Sequence, residues 1–140
     1  MSLSSGPRPA PRPENRFDEE FWSNCAKKKL CFQRCTSCRT WRHLPRAMCA
    51  SCGSDAWEWA ESSGRGEIYS WTITHQAILP NFAEDVPYAV VVVELEEGVR
   101  MVSGVRGIAL EDLDLGLPVK VEFEPVSDNM AVPVFGHRAR

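Results

Sequence analysis

Cys35-Thr36-Ser37-Cys38, ten further residues, and then Cys49-Ala50-Ser51-Cys52-Gly53 form the stretch that decides how this chain is read. Zn²⁺ favours four ligands at tetrahedral geometry, and a Cys-x-x-Cys turn presents two thiolates to one side of an ion. Two such turns close a site on Cys35, Cys38, Cys49 and Cys52. Four protein ligands leave no open position, so the expected metal is structural rather than catalytic. The spacer is shorter than the commonest one but long enough for a small ribbon hairpin. Iron satisfies the same thiolates, and zinc is the favoured reading. Disulfides are disfavoured because residues 1–16, rich in Ser, Pro and Arg, lack a secretory pattern. A redox pair leaves the second Cys-x-x-Cys unexplained. Gly53 suits a knuckle that needs positive φ. Arg39 occupies the matching place after the first pair, which predicts a less regular turn there.

Upstream, residues 1–14 carry alternating prolines and read as a disordered tail. Asn15 to Lys29 reads as a helix, with Phe17, Phe21, Trp22 and Cys25 on one apolar stripe. Asp18, Glu19 and Glu20 come early and Lys27 to Lys29 late, an order that complements the helix dipole. Leu30 to Arg34 is a short lead-in strand. Cys25 and Cys31 stand apart from the metal set and read as core thiols, since buried cysteine behaves as a small hydrophobe.

Downstream the apolar period becomes that of strands. Trp57–Glu61, Glu67–Gln76, Tyr88–Leu95, Val99–Val105, Val119–Phe123 and Val132–Phe135 are predicted strands, with the four valines of the third expected to be buried on both faces. Glu96-Glu97-Gly98 turns a hairpin, Leu79–Pro87 is a loop, and Ile108–Gly116 is a connection with one helical turn. The expected fold class is mainly β. It comprises an N-terminal helix and lead-in strand over 15–34, a zinc ribbon over 35–61, and a five-stranded OB-fold barrel over 62–140. An SH3-like barrel or an open sandwich fits the strand count less well.

Charge is divided unevenly. Through Arg65 the chain has 11 basic and 7 acidic residues, and from Gly66 onward it has 5 and 12, so any anionic partner belongs with the first half. Lys27, Lys28, Lys29, Arg34, Arg39, Arg42 and Arg46 lie between Cys25 and Ser54 with no Asp or Glu among them. Lys29, Arg34, Arg42 and Arg46 are the candidate ligand- or partner-binding residues; a solvated basic face is the plainer reading. His43, His75 and His137 lie in no nucleophile motif, and no glycine-rich phosphate loop is present. The chain is therefore expected not to be an enzyme. No apolar run reaches the roughly 20 residues needed to cross a bilayer, so a cytoplasmic protein without membrane contact is expected. The barrel half is acidic, which disfavours nucleic acid, although zinc ribbons and OB-folds both bind it elsewhere.

The order of motifs carries a resemblance. Phe21-Trp22 leads into Leu30-Cys31-Phe32-Gln33-Arg34-Cys35, then Pro45-Arg46, Cys52-Gly53-Ser54, Trp59 and Ser63-Gly64-Arg65-Gly66. Tyr69-Ser70-Trp71-Thr72, Pro87-Tyr88 and Gly116-Leu117-Pro118-Val119 follow. Over about residues 17–136 this resembles the bacterial and archaeal family catalogued as domain of unknown function thirty-five, which pairs a rubredoxin-like zinc ribbon with an OB-fold. The resemblance implies a non-catalytic accessory protein beside a thiolase-like or enoyl-CoA hydratase-like enzyme, with acyl-CoA as a possible ligand. The chain departs from the family pattern where Arg39 replaces the usual Gly after the first pair. Lys29 likewise stands where a Gly usually ends the helix. The alternative is a nucleic-acid-binding zinc-ribbon and OB-fold module.

Overall fold

A computed structural model describes residues 9–139 of the chain. The greater part of the expected tail, residues 1–8, lies outside the described residues, and residues 9–14 form no regular element. Asn15 caps helix α1 (Arg16–Ala26) by accepting a hydrogen bond from the Asp18 amide at 3.0 Å. Phe21 and Cys25, one turn apart, are its buried residues. The helix ends three residues before the expected Lys29. Lys27 caps it, and Lys28 turns the chain with φ 63°. The amides of Lys28 and Lys29 close back on the Cys25 and Asn24 carbonyls at 2.9 and 3.0 Å, which satisfies the last turn and stops it. The left-handed residue is thus Lys28, and the three lysines follow the last turn rather than occupying it.

Three strands, β1 (Cys31–Cys35), β2 (Trp41–Arg42) and β3 (Trp57–Glu61), form an antiparallel sheet in the order β2-β1-β3. The second sheet contains β4 (Arg65–Thr74), β5 (Tyr88–Leu95), β6 (Arg100–Ser103), β7 (Pro118–Ser127) and β8 (Met130–His137), in the order β6-β5-β4-β7-β8. This sheet curls until its edges meet. Val105 bridges Phe135 in parallel, and the Phe135 amide donates to the Gly104 carbonyl at 3.1 Å. Strands one to three as a meander, with the fourth beside the first and the fifth meeting the third, are the OB connectivity. Short 3₁₀ turns at Pro80–Phe82 and Leu110–Asp112 interrupt the two long connections.

The expectation of burial on both faces of Tyr88–Leu95 is not met. Ala89, Val91, Val93 and Leu95 are buried, whereas Val90 and Val92 are half-buried and Glu94 is exposed. An antiparallel sheet needs its core on one face only, and the outward valines follow strand propensity instead.

The two sheets share one core. Phe21 and Cys25 from the helix, Leu30 just before β1 and Phe32 within it join Ile68, Val91, Val93, Val119 and Phe135 from the barrel in a single apolar cluster. The helix is tied to β3 as well. Trp59 Nε1 donates to Glu20 Oε2 at 2.9 Å, and the Phe17 and Trp57 rings meet edge-on at 5.4 Å. The Ser63-Gly64-Arg65-Gly66 motif fits the passage from ribbon to barrel. Gly64 holds φ 76°, and a side chain there would strike Val121. No helix among the described residues is long and apolar enough to cross a membrane.

Candidate metal centre

The four sulfurs of Cys35, Cys38, Cys49 and Cys52 lie within 4.8 Å of one another. Cys35 and Cys52 are 3.6 Å apart, as are Cys38 and Cys49. Zinc–sulfur bonds of 2.3 Å at tetrahedral angles put sulfurs about 3.8 Å apart, so this set fits such an ion with little adjustment. The two knuckles are built alike. The Arg39 and Gly53 amides donate to the Cys35 and Cys49 carbonyls at 2.9 and 2.8 Å. The Cys35 and Cys49 amides donate to the Thr40 and Ser54 carbonyls at 2.9 and 2.8 Å.

Electrostatics agree with a cation site. The Cys38 amide, helped by that of Ser37, brings the Cys35 thiol down to about 6. The amides of Cys52 and Ser51 lower that of Cys49. The Ser54 amide also favours a Cys52 thiolate, yet the crowding of Cys35 and the other sulfurs outweighs it and holds Cys52 up at about 11. Such competition between neighbouring thiolates is relieved when a cation neutralises them.

The expected irregularity at Arg39 does not occur. Arg39 takes φ 68°, beside 78° for Gly53, and makes the same turn. A side chain in that region costs about 1–2 kcal/mol because its Cβ approaches the following carbonyl. Arg39→Gly is therefore expected to stabilise the metal-loaded protein by about 1 kcal/mol, read from chemical denaturation at fixed zinc.

Residues 22–58 match the family described as ChsH2, rubredoxin-like zinc ribbon domain, and residues 59–124 match ChsH2, C-terminal OB-fold domain. A chain of the solved Ltp2-ChsH2(DUF35) aldolase superposes with TM-score 0.82 at 35% identity, covering 90% of this chain and 98% of that one. This chain belongs to the DUF35 family. It is also 39% identical over 126 residues to a probable enoyl-CoA hydratase alpha subunit of Thermomonospora curvata. That match covers 89% of this chain but 39% of the relative, so this DUF35 member spans about two fifths of that protein's length. A DUF35 domain-containing scaffold protein of Methanocaldococcus jannaschii is 28% identical, with 74% of each chain covered.

The four candidate cations of this DUF35 chain divide into two pairs. Arg34 is ion-paired to Glu58 at 2.6 Å and stands 5.2 Å over the Trp41 ring. Arg42 donates from Nε to Gln33 Oε1 at 2.7 Å and from Nη2 to the Arg46 carbonyl at 2.8 Å. Both guanidiniums are engaged inside the ribbon. Lys29 and the Arg46 side chain are exposed. The sequence reading missed Gln33, which is fully buried and accepts from the Arg46 amide at 2.7 Å as well. One glutamine between Phe32 and Arg34 gives no signal of such a role. His43, which lies in no nucleophile motif, is a second such residue. Its ring lies between those of Phe21 and Phe32, at 5.5 and 5.1 Å, and burial pushes it down to about 4. Cys25 and Cys31 are buried apart from the metal set, and burial raises both thiols, Cys25 to about 12.

A second concavity lies on the barrel. An open trough of about 630 Å³ runs between β6 and β8, lined by Val90, Met101, Val102, Ile108, Val132 and the helix residue Trp22. Its walls are mainly apolar, and Asp85 and Glu124 lie along it.

Proposed function

We propose that this chain is a non-catalytic accessory subunit, holding structural zinc on Cys35, Cys38, Cys49 and Cys52, that binds a thiolase-like or enoyl-CoA hydratase-like enzyme. The observation that carries the reading is its likeness to nearly the whole DUF35 chain of an aldolase assembly. Relatives named hydratase alpha subunit and scaffold protein support the same class. A limit after Glu61 between ribbon and barrel suits this reading, because β3 through Glu61 pairs with β1, whereas β1 carries the ribbon sheet back from 35 to Cys31. A four-thiolate site supplies folding energy and no Lewis-acid position. The trough suits the apolar part of an acyl-CoA, since concave apolar sites of this size take small ligands. Its two carboxylates disfavour phosphate there, so the nucleotide end of such a ligand belongs on exposed cations such as Lys29 and Arg46. A cytoplasmic location goes with this role.

Nucleic acid is the weaker reading. Tyr69 is an exposed barrel aromatic, but Arg100 sits 3.8 Å over its ring and is itself paired to Glu94 at 2.9 Å. That face is not free to stack a base. Affinity purification from the native host at moderate salt tests the proposal. Recovery of a thiolase-like or hydratase-like enzyme, with no acyl-CoA turnover by the isolated chain, is expected. Recovery of nucleic acid without such an enzyme overturns it.

A further inference from the structure

The ribbon ends in a loop that displays apolar side chains on a clamped backbone. Leu44 and Met48 are 68% and 58% exposed, although Ile78, on the loop after β4, is more exposed than either. The loop that displays them is fixed from inside. Buried Gln33 binds both the Arg46 amide and Arg42 Nε, and Arg42 binds the Arg46 carbonyl. His43 inserts between Phe21 and Phe32. Consecutive residues are thereby sorted, with His43 inward and Leu44 outward. A surface ordered in advance loses less conformational entropy when a partner covers it.

In the stretch between Cys25 and Ser54 that holds this tip, Lys and Arg occur with no Asp or Glu. The side chains of Arg39 and Arg46 are exposed and pair with no carboxylate among the described residues. Four thiolates on a divalent ion carry about two negative charges. Between Cys25 and Ser54 there are seven Lys and Arg, of which Arg34 is neutralised by Glu58. The excess therefore stays positive after the metal centre is counted. Arg39 adds a further point. It sits in left-handed backbone where its counterpart in the second knuckle is Gly53. The knuckle's amide-to-carbonyl bonds hold that conformation, and glycine would adopt it at lower cost, so the backbone alone does not call for the arginine side chain.

We propose that the tip formed by Leu44 and Met48, flanked by Arg39 and Arg46, is the docking surface for the partner enzyme, and that the matching surface pairs an apolar cleft with carboxylates. This rests on the accessory-subunit reading and adds which face is used. Met and Arg are enriched in protein interfaces, whereas single-stranded nucleic acid asks for open aromatic faces. Residues 44–48 include no aromatic, the His43 ring packs against Phe21 and Phe32, and Trp41 of β2 is half-buried with Arg34 over its ring.

The test is calorimetric titration of the zinc-loaded full chain with the enzyme recovered from the host and purified separately. Leu44→Asp and Met48→Asp are each expected to weaken binding about 30- to 100-fold, as loss of an interface anchor does. Leu115→Asp, at an exposed barrel residue, should stay within about threefold, the range of peripheral contacts. Arg39→Gly, which preserves the knuckle, should flatten the salt dependence. Zinc content and thermal midpoint are measured for each variant, and the double variant Leu44→Ala/Met48→Ala replaces any that loses metal. Undiminished binding by the tip variants overturns this surface and leaves the accessory role standing. Absence of wild-type binding to any thiolase-like or hydratase-like enzyme removes both. Tip-dependent binding of a single-stranded 20-mer RNA, without enzyme binding, overturns the proposal in favour of nucleic acid.

Discussion

Cys49→Ser is expected to abolish stoichiometric zinc binding and to unfold the ribbon while the barrel keeps its strands. Cys49 is buried, its sulfur is 3.6 Å from that of Cys38, and its backbone closes the second knuckle through Ser54 and Gly53. A serine hydroxyl is a poor zinc ligand at neutral pH, and three thiolates leave the ion open to water and to exchange. Structural zinc in small ribbons contributes about 10–16 kcal/mol of apparent binding free energy, more than a short three-stranded sheet can replace. The barrel's fully buried Val91, Val93, Val119 and Phe135 share one cluster with Phe32 and the helix, so the barrel loses part of its packing with the ribbon, but its five-stranded sheet does not hold the metal. Elemental analysis should fall from about one zinc per chain to near zero. The near-ultraviolet dichroism of Trp57 and Trp59, whose rings meet at 5.2 Å, should collapse with it. Cys25→Ser and Cys31→Ser should keep the ion, since both thiols lie in the core outside the ligand set. Iron in the wild type, or one zinc retained by Cys49→Ser, contradicts the assignment.

Some of this architecture was legible in the sequence because local chemistry dictates it. A pair of Cys-x-x-Cys turns has few uses in a chain of this composition, and Trp57–Glu61, read from alternation, and Tyr88–Leu95, read from its apolar run, begin and end where expected. Other features depended on contacts between distant segments. The last helical turn stops at Ala26 because the Lys27–Lys29 backbone turns back onto it, although three lysines in a row are compatible with more helix. Arg39 follows the knuckle into left-handed backbone because the amide-to-carbonyl bonds of the turn outweigh its local cost. Gln33 and His43 became structural centres only once α1, β1 and the ribbon loop were packed together. Arg34 and Arg42 looked like Arg46 in sequence, and Glu58, Trp41 and Gln33 set them apart. The trough was invisible because it joins β5, β6, β8 and Trp22, which are far apart along the chain.

The half-buried His43 gives the second large expectation, a fall in stability on mild acidification that a single substitution removes. His43 is pushed from its ordinary value of 6.5 down to about 4 by burial, and its Nδ1 has no hydrogen-bond partner. The folded protein therefore favours the neutral ring. Between these two values the unfolded chain binds a proton that the folded one does not, so the contribution is complete above about pH 6.5 and is lost as pH falls toward 4. The full difference is about 3 kcal/mol, of which about 2 kcal/mol should be lost between pH 7 and pH 5. His43→Phe keeps an aromatic ring between Phe21 and Phe32 and has nothing to protonate. Zinc release through thiolate protonation affects wild type and variant alike, so the quantity to measure is their difference in unfolding free energy at pH 7, 6 and 5, at fixed zinc. His43→Phe should gain on the wild type by about 2 kcal/mol over that range. Parallel curves would mean that water or a neighbouring group solvates the imidazolium in the folded state. The clamp described for the ribbon loop would then be looser at His43 than its packing against the two phenylalanines indicates.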